Sequence, residues 1–223
     1  MKLANSTMLI VFLAIASVAT AGLVALNVAT QVGRTPDRGA GRQESRWLNP
    51  GIELPAFTLT DQTNQPFGLK ELRGKVWIAD FIFTRCPGIC PAMTAKMSQI
   101  QDQLLNNPTF SDVILVSISV DPNYDTPQRL AEYAEGHKAD PRRWRFLTGQ
   151  RQVIWDLCRN GFKQPVEENA DNAAIPIYHG PYFILVDRTA TIRRFYDSSS
   201  PEAIAALGRD LERLSHEGLP IGD

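Results

Sequence analysis

The chain has 223 residues, 43% of them hydrophobic and 21% charged, with a formal net charge of −1. At about 100–200 residues per domain, that length allows one domain with an appendage or two small domains, and three cysteines are too few for a disulfide scaffold. A sequence pI near 6.3 excludes a globally basic nucleic-acid binder, and no nucleic-acid partner is expected.

From Met8 to Ala29 there is no charged residue. As a helix this run is roughly 33 Å long, enough to cross a hydrocarbon core. Lys2 and the terminal amine supply a positive start, and Ala19-Thr20-Ala21 has the small-x-small form of a cleavage site. Because the apolar run continues past Ala21, it reads as an uncleaved signal anchor rather than a removed signal. Residues 1–30 are therefore assigned to a transmembrane anchor, 31–50 to a flexible tether rich in Arg, Gly and polar groups, and 51–223 to the folded domain. Arg34, Arg38, Arg42 and Arg46 count against an outside domain by the positive-inside rule. The signal-like shape and position of the segment nevertheless place the domain outside the cytoplasm, on the periplasmic side if the cell is bacterial.

Leu54–Asp61 reads as a short edge strand entering a polar turn. Val76–Thr84 and Val113–Val120 are near-continuous apolar runs, the pattern of strands buried on both faces. Met93–Leu105 has helical spacing, with Pro91 suited to a first turn. Thr126-Pro127 opens a further helix as N-cap and first helical residue. A short strand (Trp144–Leu147) and a short helix (Val153–Asn160) follow, then a polar loop over Gln164–Asn172. Tyr182–Asp187 and Thr191–Tyr196 form a hairpin, and Ser200-Pro201-Glu202 starts a helix running to about His216. Alternating strands and helices followed by a hairpin and helix predict an α/β sandwich of the thioredoxin kind.

The informative segment is Arg85-Cys86-Pro87-Gly88-Ile89-Cys90-Pro91, where a buried strand gives way to a helix. Unpaired N–H groups and partial positive charge at a helix start favour thiolate over thiol, and Arg85 adds a nearby cation. Cysteines four apart at a helix start face the same way and can form a disulfide or grip one soft metal ion. An inert structural bridge is the plain alternative, but closing so short a loop removes little chain entropy. Pro87 and Gly88 delay the helix and leave a loop able to wrap a small ion.

Taken together, Leu69–Lys75, the run from Phe81 to Met93 (FIFTRCPGICPAM), Ser117–Pro122 with Asp125-Thr126-Pro127, and the His179 region resemble the Sco (SCO1/SenC) family. The resemblance spans nearly all of the chain after the tether. It implies a thioredoxin-like fold, copper as Cu(I) or Cu(II), and a role in cytochrome oxidase assembly. It also implies that His179 is a third metal ligand with Cys86 and Cys90, from a loop ahead of the strand Tyr182–Asp187 that lies beside the cysteine strand. Two thiolates and an imidazole suit both copper states, whereas structural zinc wants four ligands. Here Gly180-Pro181 follows the histidine directly, a tighter lead into the strand than the family commonly has.

The remaining candidates have plainer readings. His137 and His216 belong to helix ends, and Cys158 to a buried helix face. Asp121 is either a turn residue before Pro122 or an acceptor that orients His179. Asp125 belongs to the next helix's entry, and Trp47, Trp77, Trp144 and Trp155 to packing. The function implied is a membrane-tethered copper chaperone delivering to the copper-bearing subunit of cytochrome c oxidase, with an exposed site. The alternative is a thiol–disulfide oxidoreductase in which Cys86 and Cys90 reduce the acceptor's cysteines. A peroxiredoxin is disfavoured, since Thr84 stands two residues before Cys86 rather than three.

Overall fold

The structure, a computed structural model, describes residues 51–170 and 175–217. The anchor and tether predicted over 1–30 and 31–50 lie outside the described residues; among the described residues no helix is long and apolar enough to cross a membrane.

In chain order the elements are β1 (Ile52–Glu53), β2 (Thr58–Asp61), β3 (Pro66–Gly68), α1 (Leu69–Leu72), β4 (Val76–Ile82), α2 (Cys90–Leu105), β5 (Val113–Ser119), α3 (Pro127–Gly136), β6 (Trp144–Thr148) and α4 (Arg151–Asp156). There follow β7 (Val166–Glu168), β8 (Ile177–His179), β9 (Tyr182–Val186), β10 (Thr191–Asp197) and α5 (Pro201–His216). The main sheet runs β1-β10-β9-β4-β5-β6-β2-β3. Its centre is the parallel set β4, β5 and β6, reached through α2 and α3. Every residue of β4 and β5 is buried, as their unbroken apolar runs require for strands covered on both faces.

Two sequence expectations change. β2 is not an edge strand: it lies between β6 and β3, and β3 takes the edge. The polar stretch after Gln164 is not all loop, because Val166–Glu168 pairs antiparallel with Ile177–His179 as a separate two-stranded sheet. Three-residue strands carry too little alternation to be seen in sequence, and the paired residues are 9 to 13 positions apart.

The helix starts behave as local chemistry dictates. Thr126 and Ser200 cap α3 and α5 by accepting from the N–H groups of Arg129 and Ala203, and proline occupies the first turn in both. α5 docks on β10 through Asp210, whose carboxylate accepts from Tyr196 Oη at 2.8 Å and Arg194 at 3.1 Å. Two of the buried indoles are satisfied in the same manner: Trp144 donates to Ser117 Oγ and Trp155 to the Val120 carbonyl, both at 2.9 Å.

Asp80 is a buried carboxylate left without such a partner. It sits in β4 at 0% exposure, and neither carboxylate oxygen has a hydrogen-bond partner. Burial in apolar surroundings disfavours the ionised form and raises its pKa to about 7. A raised carboxylate holds its proton in the fold after the unfolded chain has lost it, so this contribution is full below the unfolded value and lost as pH rises through about 7. Asp80→Asn is therefore expected to gain stability relative to the parent between pH 5 and pH 8, by on the order of 2–3 kcal/mol. Denaturant midpoints at the two pH values test this; a constant difference would contradict it.

Candidate metal and thiol site

The site begins where β4 ends. Asp125, fully buried, accepts from the Thr84 backbone N–H at 3.0 Å and from the hydroxyls of Thr84 and Ser119. This carboxylate ties the segment leaving β4 to the end of β5, which fixes where Cys86 begins. Sequence reading assigned Asp125 only to a helix entry. Thr84, the residue weighed for peroxide chemistry, has its hydroxyl engaged here.

α2 starts at Cys90 with no side-chain cap on its first turn. The sulfur of Cys86 lies near these free N–H groups. Its thiolate is stabilised first by the Cys90 side chain and also by the backbone N–H groups of Gly88, Ile89 and Cys90, which outweigh burial and lower its pKa to about 6. The same pairing acts in reverse on Cys90. Donation to Cys86 and burial hold its proton, and the nearby Cys86 and Asp80 charges add to the effect, so its pKa is pushed far up. The pair is thus one thiolate and one thiol. All three cysteines are free.

His179 arrives from β8. In that strand Ile177 and His179 are buried while Tyr178 between them is exposed, the period-two alternation that turns the imidazole inward. β9 follows at once and pairs antiparallel with β4, so the chain leading into it reaches the end of the cysteine strand. His179 Nε2 lies 3.3 Å from Cys90 Sγ, and the ring stands edge-on to Phe83. Nδ1 is 3.2 Å from the Gly180 carbonyl. A carbonyl only accepts, so Nδ1 carries the hydrogen and Nε2 is an acceptor for the single Cys90 thiol hydrogen, for which it competes with the Cys86 sulfur. Burial lowers the histidine pKa, which keeps the ring neutral at pH 7.

The structure therefore brings together all three residues singled out from the sequence, with Cys90 in the middle. It also corrects two expectations. The site is not at the surface: Cys86, Cys90 and His179 are 6%, 0% and 5% exposed. His179 is in a strand, not a loop. As they stand, no three His, Cys, Asp or Glu side chains among the described residues surround one point ready for a metal ion.

Two supporting roles move as well. Arg85 does not tune the thiolate: its Nε donates to Asp121 Oδ2 at 2.8 Å and its guanidinium lies over the Tyr124 ring. Asp121 consequently does not orient His179; its carbonyl accepts from Tyr124 and Asp125 N–H, as a turn residue's does. Gly88 needs no special freedom, since a Cβ there would meet only ordinary contacts, with Cys86 Sγ at 3.7 Å and Ile175 Cδ1 at 3.8 Å. Cys158 is a buried thiol whose pKa burial raises to about 12, the core residue expected. His137 ends α3 against the Tyr133 ring, also as expected.

The donor set fits a thiophilic ion. Bonds of about 2.3 Å to sulfur and about 2.0 Å to imidazole nitrogen put two donors roughly 3.3–3.6 Å apart on one ion, and Cys90 and His179 are separated by 3.3 Å. A bare thiolate and a bare imidazole nitrogen flank the one proton that such an ion would replace.

Comparison with known proteins identifies the family and the fold. The SCO1/SenC family model matches residues 49–214. A SCO1/SenC family lipoprotein from Bacillus anthracis is similar, with a TM-score of 0.68 and 33% identity over 74% of this chain and 96% of that one. The structure of BsSco, described as a disulfide switch in a member of the Sco family of cytochrome c oxidase assembly proteins, has a TM-score of 0.64 and 30% identity over 76% and 96% of the two chains. Arabidopsis thaliana ScoI, with copper bound, has a TM-score of 0.61 and 26% identity over 72% and 96%.

The thiol asymmetry has a direct consequence. In the reduced, metal-free protein, Cys86 is expected to be alkylated by iodoacetamide with a midpoint near pH 6, while Cys90 and Cys158 react only after unfolding. Because Cys90 supplies the largest stabilisation of the thiolate, Cys90→Ala should move the midpoint up towards the ordinary thiol value of about 8.5. Mass-resolved alkylation rates against pH measure this; an unmoved midpoint would contradict the assignment.

Proposed function

The chain belongs to the SCO1/SenC family, and from that premise we propose that it is a membrane-tethered copper chaperone serving assembly of cytochrome c oxidase. Its copper would be cargo for the oxidase's copper-bearing subunit, held by Cys86, Cys90 and His179. The observation that carries this reading is the Cys90–His179 contact at 3.3 Å, with a thiolate on the other side of the same sulfur. The copper-bound relative of similar fold supports the choice of metal. The apolar run Met8–Ala29 and the similar lipoprotein support a tethered domain facing away from the cytoplasm.

The chain's own residues divide the work. Cys86 offers a thiolate already formed at neutral pH, so capture needs no prior proton loss. Cys90 gives up its proton on loading, which makes affinity fall as pH drops. His179, neutral and with its hydrogen fixed on Nδ1 by Gly180, supplies the harder nitrogen donor that lets a dithiolate pocket hold Cu(II) as well as Cu(I). Release to an acceptor proceeds by exchange of one thiolate at a time, and the outermost, Cys86, is placed to leave or join first.

A second reading rests on the thiolate–thiol asymmetry itself. Cys86 would attack an acceptor disulfide, breaking that S–S bond, forming a mixed disulfide and releasing one acceptor thiolate. Cys90, once deprotonated, would attack the Cys86 sulfur and release the second. The acceptor is reduced to a dithiol and the pair here is oxidised to a disulfide. The same two residues would thus prepare the acceptor's cysteines for metal.

His179→Ala separates the two readings. The variant is expected to keep one equivalent of Cu(I) with affinity little changed, to lose Cu(II) affinity by roughly tenfold or more, and to keep its dithiol chemistry. Anaerobic titration with each copper state is the measurement. An unchanged Cu(II) affinity and spectrum would remove His179 from the ligand set and leave the thiol reading.

A further inference from the structure

We infer that Gly180 is a positioning residue for His179: the absence of a side chain at 180 lets the end of β8 lie against Gln164, and that close approach holds the imidazole on Cys90.

The requirement is one of packing, not of backbone conformation, since Gly180 is not among the residues with positive φ. A Cβ at this position would stand 2.5 Å from Gln164 Oε1, 3.1 Å from Tyr182 Cδ2 and 3.5 Å from Pro165 Cδ. Ordinary contact begins near 3.4 Å, so a methyl group demands a relief of about 0.9 Å against Gln164, with an additional few tenths against Tyr182. The carboxamide is the end of a flexible side chain, but it is enclosed. Gln164 is 7% exposed, its backbone N–H donates to the Cys158 carbonyl at 2.9 Å, and its Nε2 reaches the carbonyls of Phe162 and Lys163. Lys163 beside it is held at φ 55°. Its Oε1 is buried without a hydrogen-bond partner, a costly placement that the abutting glycine makes room for but does not compensate.

On the other side, Gly180 holds the ring by its own carbonyl, which accepts from Nδ1. A displacement of 0.9 Å at this residue is several times the tolerance of about 0.2 Å within which a metal–ligand distance must fall. A side chain at 180 therefore disconnects His179 from Cys90 while leaving Cys86, in the turn before α2, and Cys90, at its start, where they are.

The test compares Gly180→Ala, Gln164→Ala and the double variant in two readouts. In the metal-free reduced protein, ring nitrogen NMR reports the His179 tautomer and its contact with Cys90. In the copper-loaded protein, the Cu(II) spectrum reports the imidazole nitrogen. Gly180→Ala is expected to lose the fixed Nδ1-protonated tautomer and to bind Cu(II) about tenfold or more weaker, while Cu(I) stoichiometry and the count of reactive thiols stay at parental values. Gln164→Ala should retain the parental tautomer and Cu(II) spectrum, and the double variant should recover both. Should Gly180→Ala fail to fold, the double variant decides, since it must show the parental tautomer. A parental tautomer in Gly180→Ala, or a displaced ring in the double variant, overturns the assignment. The copper arm rests on the ligand reading of His179, but the metal-free arm does not: a parent protein without a Cu(II)–imidazole signature sinks that reading and leaves the tautomer to judge Gly180.

Discussion

Everything in this site depends on one short contact, Cys90 Sγ to His179 Nε2 at 3.3 Å, between residues 89 positions apart in the chain. Neither partner can be brought there locally. Cys90 is fixed by the start of α2, which in turn is fixed by the end of β4. His179 is fixed by the strand that leads into β9, and β9 is hydrogen-bonded to β4. The antiparallel β4–β9 pairing is therefore what converts two distant motifs into one chemical unit, and the apolar runs that bury both strands supply the free energy that holds it.

Burial and hydrogen bonding together set the protonation of the three residues, opposing each other at Cys86 and His179 and reinforcing each other at Cys90. For Cys86 the donors win, since the Cys90 thiol and three backbone N–H groups converge on the sulfur. For Cys90 both effects act in the same direction and hold the proton. For His179 burial wins and the ring stays neutral. The result is a site with one charge, one exchangeable proton and one bare nitrogen lone pair. That combination serves metal capture and thiol exchange equally, which explains why a single cysteine pair supports both readings.

Much of this was legible in the sequence, for physical reasons that differ by residue. Continuous apolar runs announced β4 and β5 because a strand covered on both faces has no polar side. The prolines and hydroxyl residues at 126–127 and 200–201 announced helix starts through their own capping chemistry. Cys86 and Cys90 stood out by spacing and by their place at a strand–helix junction. His179 came only with the Sco resemblance, because no spacing rule links a histidine to cysteines 89 residues earlier. Asp121 is the turn residue that was one of its two readings, but its ion pair with Arg85, which takes that cation away from the thiolate, exists only in three dimensions. Asp125 and Gly180 act by contact with residues far along the chain and carry no local signature. Asp80 did leave one, as the lone charge inside an otherwise apolar strand run.

The most direct test of the account is X-ray absorption at the copper edge on the reduced protein loaded with one equivalent of copper. The account predicts two sulfur scatterers and, in the Cu(II) state, one imidazole, with the imidazole contribution removed when His179 is replaced. A first shell of sulfur and water alone in the parent protein would contradict it, because the 3.3 Å contact would then be a packing coincidence rather than two corners of a metal site.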